Sequence, residues 1–338
     1  MNIMLSSVGR RSYLVKYFQD TLGDDGIVIG TNSIPDTQGL LATDRSYVVP
    51  QANHPDYIDI LLEICETNEV KLLFSLHDLD GYILSQNKDR FSEIGVAPII
   101  SDYSVMDTAL NKYKTYIWAN ENDVNFPDTF LKIEDAILSV EKGKISFPLI
   151  VKPIHGCGSI EIRVAHNEEE LHMLVKLVNN QVMRSNIVDF FNYKTDNAVI
   201  VQQYINGQEF GLDIINDLEG KYVTCFVKRK FGMRAGETDG AIVEDNEELK
   251  GFGAHLGDNL KHIGLMDTDV FVTKEGKIYL IDLNPRFGGG YPFSHIAGAD
   301  IPRYFIALAK RSSVDPSWLH VKTCVRGYKD IDIVTVNK

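Results

Sequence analysis

Cysteine is scarce in this chain. Cys65, Cys157, Cys225 and Cys324 stand far apart and form no CxxC pair, so neither a zinc site nor a disulfide framework is expected, and reduced thiols in the cytoplasm are the reading. Long apolar runs are absent too, and none approaches the roughly 18 residues of a membrane span. The opening Met1-Asn2-Ile3-Met4-Leu5-Ser6 lacks the charged-then-apolar pattern of an export signal. Positive charge is in deficit, with 34 Lys and Arg against 47 Asp and Glu, a net charge of −13. That argues against a nucleic-acid partner and against an anionic membrane surface. Small anionic ligands remain open, because they need only a local basic pocket. Internal repeats, low-complexity segments and a Ser-His-Asp order are missing as well.

What is present begins with an alternation of strand and helix over the first hundred residues. Residues 2–8, 27–31, 70–76 and 96–100 read as strands, and 12–22, 58–65 and 81–91 as helices. This βαβ rhythm predicts a parallel, doubly wound sheet with ligands beyond the carboxyl ends of its strands, near Ser7–Arg11, Asn32 and His77–Asp80. The remainder mixes the two differently. A helix over 103–120 carries Lys112 and Lys114, two strands enclose a glycine turn within 144–165, residues 179–197 are polar and irregular, and strands dominate from 198 onward. The class is α/β followed by α+β.

The densest chemistry lies in Tyr279-Leu280-Ile281-Asp282-Leu283-Asn284-Pro285-Arg286-Phe287-Gly288-Gly289-Gly290. As a strand it puts Asp282 and Asn284 on one face and Tyr279, Ile281 and Leu283 on the other, toward the core. Asp269–Thr273 precedes it across a turn at Lys274-Glu275-Gly276-Lys277, which makes a hairpin. With the turn centred on Glu275-Gly276, Asp269 faces Asp282. Opposed carboxylates about 5 Å apart are unfavourable, and a divalent cation between them reverses the sign. Two carboxylates and the Asn284 amide form an oxygen-only set that suits Mg²⁺. A three-residue turn would shift the register by one and spoil this pairing.

Three further blocks carry polar groups at strand ends. Val151-Lys152-Pro153 runs into Gly156-Cys157-Gly158-Ser159, a turn whose N–H groups can wrap phosphate oxygens, although a plain glycine hairpin explains it equally well. Gln202-Gln203-Tyr204-Ile205 leads through a turn to Glu209. Lys228-Arg229-Lys230 and Arg234 form the only dense basic cluster, which reads either as a solvated loop or as part of the same cleft.

Taken in order, Lys112, then Val151-Lys152 with Gly156-Cys157-Gly158, then Gln202–Ile205 with Glu209, then Asp269 with Asp282-x-Asn284-x-Arg286, the chain resembles the ATP-grasp superfamily. It is most similar to single-unit proteins that look like half of the carbamoyl phosphate synthase large subunit. The resemblance implies a Rossmann-like pre-ATP-grasp domain over 1–101 and an ATP-grasp domain over 102–338, with a mobile lid at about 115–200. It implies that Lys112, Lys152 and the Gly156–Ser159 loop (Gly156, Gly158, Ser159) contact ATP phosphates. Gln202, with Gln203, Tyr204 and Ile205, would hold adenine, and Glu209 the ribose. Asp269, Asp282 and Asn284 would hold one or two Mg²⁺, a role Mn²⁺ can share. Arg286 and Lys152 would steady the transferring phosphoryl group, and Arg234 or Lys228 a substrate carboxylate, with Tyr291 and His295 lining the glycine turn.

The activity so implied is that of a carboxylate–amine ligase on small molecules, with amino acids among the expectations and a homodimer as the family-level one. Two alternatives stand beside it: bicarbonate or carbamate phosphorylation with a partner subunit, and a nucleotide-binding regulatory protein. The chain departs from the family in having Asp282 where Glu is usual, Asp269 where Glu or Gln is usual, and Gln202 where Glu is frequent.

Overall fold

The structure is a computed structural model. It describes residues 1–156, 161–185, 187–191, 193, 198–234 and 237–330. Gly158 and Ser159, part of the expected phosphate loop, lie outside the described residues.

Five strands, β1 (Asn2–Ser6), β2 (Val28–Asn32), β3 (Arg45–Val48), β4 (Val70–Ser75) and β5 (Ala97–Pro98), form a parallel sheet in the order β3-β2-β1-β4-β5. The alternation of apolar strands with the amphipathic helix Ser12–Leu22 and its successors dictates this layering. Strand β3, which carries no buried residue, is the one the apolar pattern did not reveal. The expected helix over 81–91 is two helices, Asp78–Ser85 and Lys88–Glu93, separated at Gln86-Asn87.

The second region holds two antiparallel sheets. Strands β6 (Thr129–Phe130), β7 (Leu149–Pro153), β8 (Arg163–Ala165) and β9 (Val199–Gln203) pair in the order β6-β9-β7-β8. Alternation sorts their faces: Leu149, Val151, Val199 and Val201 pack under the helices Ile133–Glu141 and Glu168–Val182, while Ile150, Lys152 and Gln202 face the other way. Within the stretch read as polar and irregular, the second of these helices runs to Val182 and a short helix spans Ile187–Phe191. Phe190 and Phe191 reach Tyr82 of the first domain.

Strands β10 (Gln208–Asn216), β11 (Tyr222–Arg234), β12 (Glu237–Glu244), β13 (Gly264–Val272), β14 (Ile278–Asn284) and β15 (Arg326–Tyr328) form a six-stranded sheet in the order β14-β13-β10-β11-β12-β15. One face packs on the helix Glu247–Leu260. The other carries Glu209 and Asp269 into the cleft, with Asp267 and Lys230 on the same face.

The β13–β14 register corrects the simple reading. Next to the turn, Val272 faces Ile278 and Val270 faces Leu280, one residue off the expected pairing. A bulge at Ile281 then absorbs one residue, and Asp269 faces Asp282 after all, with Asp267 opposite Asn284. The bulge also reverses the facing: Ile278, Leu280 and Leu283 enter the core, and Ile281 joins Asp282 at the cleft. Another single core joins Phe287 and Tyr291, beside the glycine turn, to Leu5, Phe18 and Phe74 of the first domain. Arg286 therefore sits at the domain junction.

Candidate active site

A cavity of about 480 Å³ opens between the four- and six-stranded sheets. Lys112, Lys152, Gly156, Gln202, Gln203, Tyr204, Ile205, Glu209, Asp269 and Asp282 all line it. Apolar walls come from Ile150, Met233, Phe271 and Ile281.

Each polar group is placed by a local device. The helix expected over 103–120 breaks at Asn111, whose side chain accepts the N–H groups of Tyr113 and Lys114 and so caps a second helix, Lys112–Glu121. Lys112 is its first residue, and its own N–H donates to the Ile154 carbonyl. Its ammonium donates to Asp282. Lys152 lies on β7 at 6% exposure. Burial, and then the Lys112 charge, push its ammonium down to about 8.

Strand β11 carries Lys230, which pairs with Glu209 at 2.9 Å and with Asp269. Burial and the nearby Asp267 push the Asp269 carboxyl up to about 6 although Lys230 opposes the shift. For Lys230 burial works to lower the ammonium, but the three surrounding carboxylates prevail and raise it.

Arg286 is held from two domains. Its Nε and Nη2 reach Asp78 at 3.0 and 3.1 Å, its Nη2 donates to Asn284 at 3.0 Å, and its Nη1 lies 3.4 Å from Asp267. Burial works to raise the Asp78 carboxyl, but the Arg286 guanidinium, with His77 and Arg11 beside it, holds it below its ordinary value. Gly288 permits this crowding, since a Cβ there would stand 2.0 Å from the Asp267 carboxyl carbon.

This arrangement brings cations, oxygen donors facing each other across a bulge, and side-chain amides to one cavity. It can align a polyphosphate and neutralise its charge. The comparisons accord with that geometry. The model of the ATP-grasp domain matches residues 109–290, and that of the PylC-like N-terminal domain matches residues 3–99.

The chain belongs to the ATP-grasp family.

Among solved structures, it is similar to an L-amino acid ligase from Bacillus licheniformis at 19% identity, over 99% of this chain and 81% of that one, with a TM-score of 0.72. It is also similar to a biotin carboxylase from Campylobacter jejuni, at 16% identity over 95% and 73% of the two chains, with a TM-score of 0.73. A third is the biotin carboxylase domain of the Hydrogenobacter thermophilus 2-oxoglutarate carboxylase, in complex with MgADP, ADP and bicarbonate. It shows 17% identity over 93% and 70% of the chains, with a TM-score of 0.72.

Not every residue expected at the ATP-grasp site lies at the cavity. Arg234 pairs with Asp239 at 2.7 Å near the end of the β11–β12 hairpin, and it is Met233 beside it that lines the wall. Lys228 is fully buried in an ion pair with Asp213, and Ser294 donates to the same carboxylate. Tyr291 does not line the glycine turn. It is buried in the core, where its hydroxyl accepts the Ile301 N–H, and His295 stacks on Tyr17.

Conversely, Asp267 takes part without having been singled out, while Lys230 comes from the basic cluster and Asp78 from the His77–Asp80 stretch expected at the binding edge. Asp267 was legible, standing two residues before Asp269 on the same face. The pairing of Asp78 with Arg286 was not, because the two are 208 residues apart. Among the described residues no helix is long and apolar enough to cross a membrane. None of them form a cluster of three or more His, Cys, Asp or Glu side chains able to hold a metal, so a cation here would rest on two carboxylates with the Asn284 amide oxygen and complete its shell from phosphate and water.

Proposed function

We propose that this chain is an ATP- and Mg²⁺-dependent ligase that joins a small-molecule carboxylate to an amine through an acyl phosphate. The observation that carries the reading is the cavity itself. Lys112 and Lys152 share it with amide side chains and with the facing pair Asp269 and Asp282. The donor set fits Mg²⁺, which takes few protein carboxylates and completes its shell with phosphate oxygens and water. Asp269, Asp282 and Asn284 would hold it, and when bound it supplies charge neutralisation to the phosphates.

The residues of the chain do the rest. Lys152 and Lys112 bind phosphate oxygens, and Arg286, fixed by Asp78, faces the charge that develops as the γ-phosphoryl group moves. A substrate carboxylate oxygen bonds to the γ-phosphorus, and ADP leaves. The amine nitrogen then bonds to the acyl carbon, inorganic phosphate departs, and the nitrogen gives up a proton. Walls of Ile150, Met233, Phe271 and Ile281 keep water from the acyl phosphate. The L-amino acid ligase among the similar structures supports amino acids as the substrates.

The test is a screen of amino acids, singly and in pairs, for phosphate release with ATP and Mg²⁺, followed by the mass of the product. Release that needs both a carboxylate and an amine, with a product of their summed mass less water, is expected. It should disappear in Asp282→Ala while the circular-dichroism spectrum is kept. Release with bicarbonate and no amino acid would assign the first step to bicarbonate instead.

A further inference from the structure

The wall of the cavity that carries Gln202 contains a hydrogen-bond relay that no step above uses. Thr129 on β6 lies directly opposite Gln202 on β9, so both side chains stand on the same face. Gln202 also lies opposite Ile150 of β7, which lines the cavity as Gln202 does. Both Thr129 and Gln202 are nearly inaccessible, at 4% and 3%.

Proton accounting fixes the Gln202 carboxamide. The Thr129 hydroxyl has one proton and donates it to the Pro127 carbonyl at 2.8 Å, which can only accept. Its remaining contact, with the Gln202 amide at 2.8 Å, must therefore be one in which it accepts. That makes the Gln202 atom beside Thr129 the NH₂ group. The carbonyl oxygen Oε1 is the atom left for the cavity, and it meets no protein donor among the described residues. A glutamate at this position would present an acceptor in either orientation. A glutamine presents one only if something holds it, and Thr129 does so.

We infer that Thr129 is the residue that sets nucleobase selectivity, by holding Gln202 as an acceptor and so favouring a purine with an amino group at position 6 over one with an oxo group there. This inference rests on the nucleotide reading of the cavity. A 6-oxo purine would bring its own acceptor against Oε1. Turning the carboxamide to meet it would set Oε1 against a hydroxyl whose proton is already given to Pro127, and a buried polar contact would be lost. Leaving one such group unpaired changes affinity by about ten- to a hundred-fold.

The test measures binding of ATP and of ITP, which differ only at that edge, by calorimetry with Mg²⁺. The wild type should prefer ATP by about tenfold or more. In Thr129→Val, which keeps the shape and removes the hydroxyl, the carboxamide is free to turn and the two affinities should come within about threefold. Thr129→Ser should restore the preference. The double variant Thr129→Val with Gln202→Glu should keep it too, since a carboxylate has no donor to offer the oxo group; its preference also separates loss of orientation from damage to the fold. A wild type that binds ATP without preference, or a preference unchanged in Thr129→Val, overturns the inference and leaves the nucleotide reading standing. A wild type that binds neither nucleotide overturns both.

Discussion

Two lysines on β11, Lys228 and Lys230, are alike in chemistry and opposite in consequence. They are two residues apart, so they share a face, and both cross Gly211 of β10. A Cβ at Gly211 would stand 3.0 Å from Lys230 Cε and 3.4 Å from Lys228 Cε. From there Lys228 extends to Asp213 and Lys230 to Glu209 and Asp269. The first pair has side-chain exposures of 0% on both partners, whereas the carboxylates of the second are 27% and 26% exposed. The sealed pair can only hold the sheet beneath the glycine turn. The open pair presents carboxylates to a ligand. Access of water to the partner, rather than the lysine itself, separates a structural ion pair from a site.

The largest expected effect follows from the sealed pair. Lys228→Met strands a buried carboxylate and should cost about 3–5 kcal/mol in urea unfolding, most of it recovered by adding Asp213→Leu. A loss below about 1 kcal/mol would mean that the pair is not sealed.

Next to it, the buried His262 donates through Nε2 to the Ile214 carbonyl at 3.1 Å, and burial lowers its imidazole to about 4. The folded state keeps this ring neutral, whereas the unfolded chain takes up a proton near pH 6.5. Stability is therefore fully present above about pH 6.5 and declines toward pH 4, by up to about 3 kcal/mol. In His262→Gln, unfolding midpoints followed across that window should fall less steeply.

The open pair should behave differently. Lys230→Met leaves carboxylates that water can reach, and about 1–2 kcal/mol of stability should be lost. Mg²⁺-dependent turnover should drop by about tenfold or more. Equal stability losses in Lys228→Met and Lys230→Met would erase the distinction. The smallest effect concerns Lys152, whose ammonium is held near 8 by burial and by Lys112. Being charged below that value and neutral above it, it should make nucleotide affinity fall several-fold between about pH 7.5 and 9, and Lys152→Arg should flatten that fall.

The same contrast explains what was legible in the residue order. The parallel sheet could be read because its central strands are buried on both faces and run continuously apolar, as in Ile3-Met4-Leu5 and Leu72-Leu73-Phe74. Lys152, Asp269 and Asp282 stood out because a charge carried by an apolar strand needs a reason, whereas Lys112, Gln202 and Glu209 took their place in the site from the family resemblance. The break at Asn111 was hidden, because an asparagine within a helical pattern shows its capping role only when Lys112 has somewhere to go. The bulge at Ile281 was hidden for a related reason. The facing of Asp269 and Asp282 follows from two one-residue shifts that cancel, and local pattern cannot show either. The pairing of Asp78 with Arg286 was out of reach, since it joins residues 208 apart in the chain, and that of Asp213 with Lys228 depends on the β10–β11 register.

The central claim is that Asp269 and Asp282 together hold the cation that serves the nucleotide. Its most direct measurement is calorimetric titration of ADP, with and without Mg²⁺, into the wild type and Asp282→Asn, with thermal unfolding alongside. The account predicts that Mg²⁺ strengthens ADP binding to the wild type, and that this dependence is lost in the variant while its unfolding midpoint stays within a few degrees. Full Mg²⁺ dependence in Asp282→Asn would contradict it.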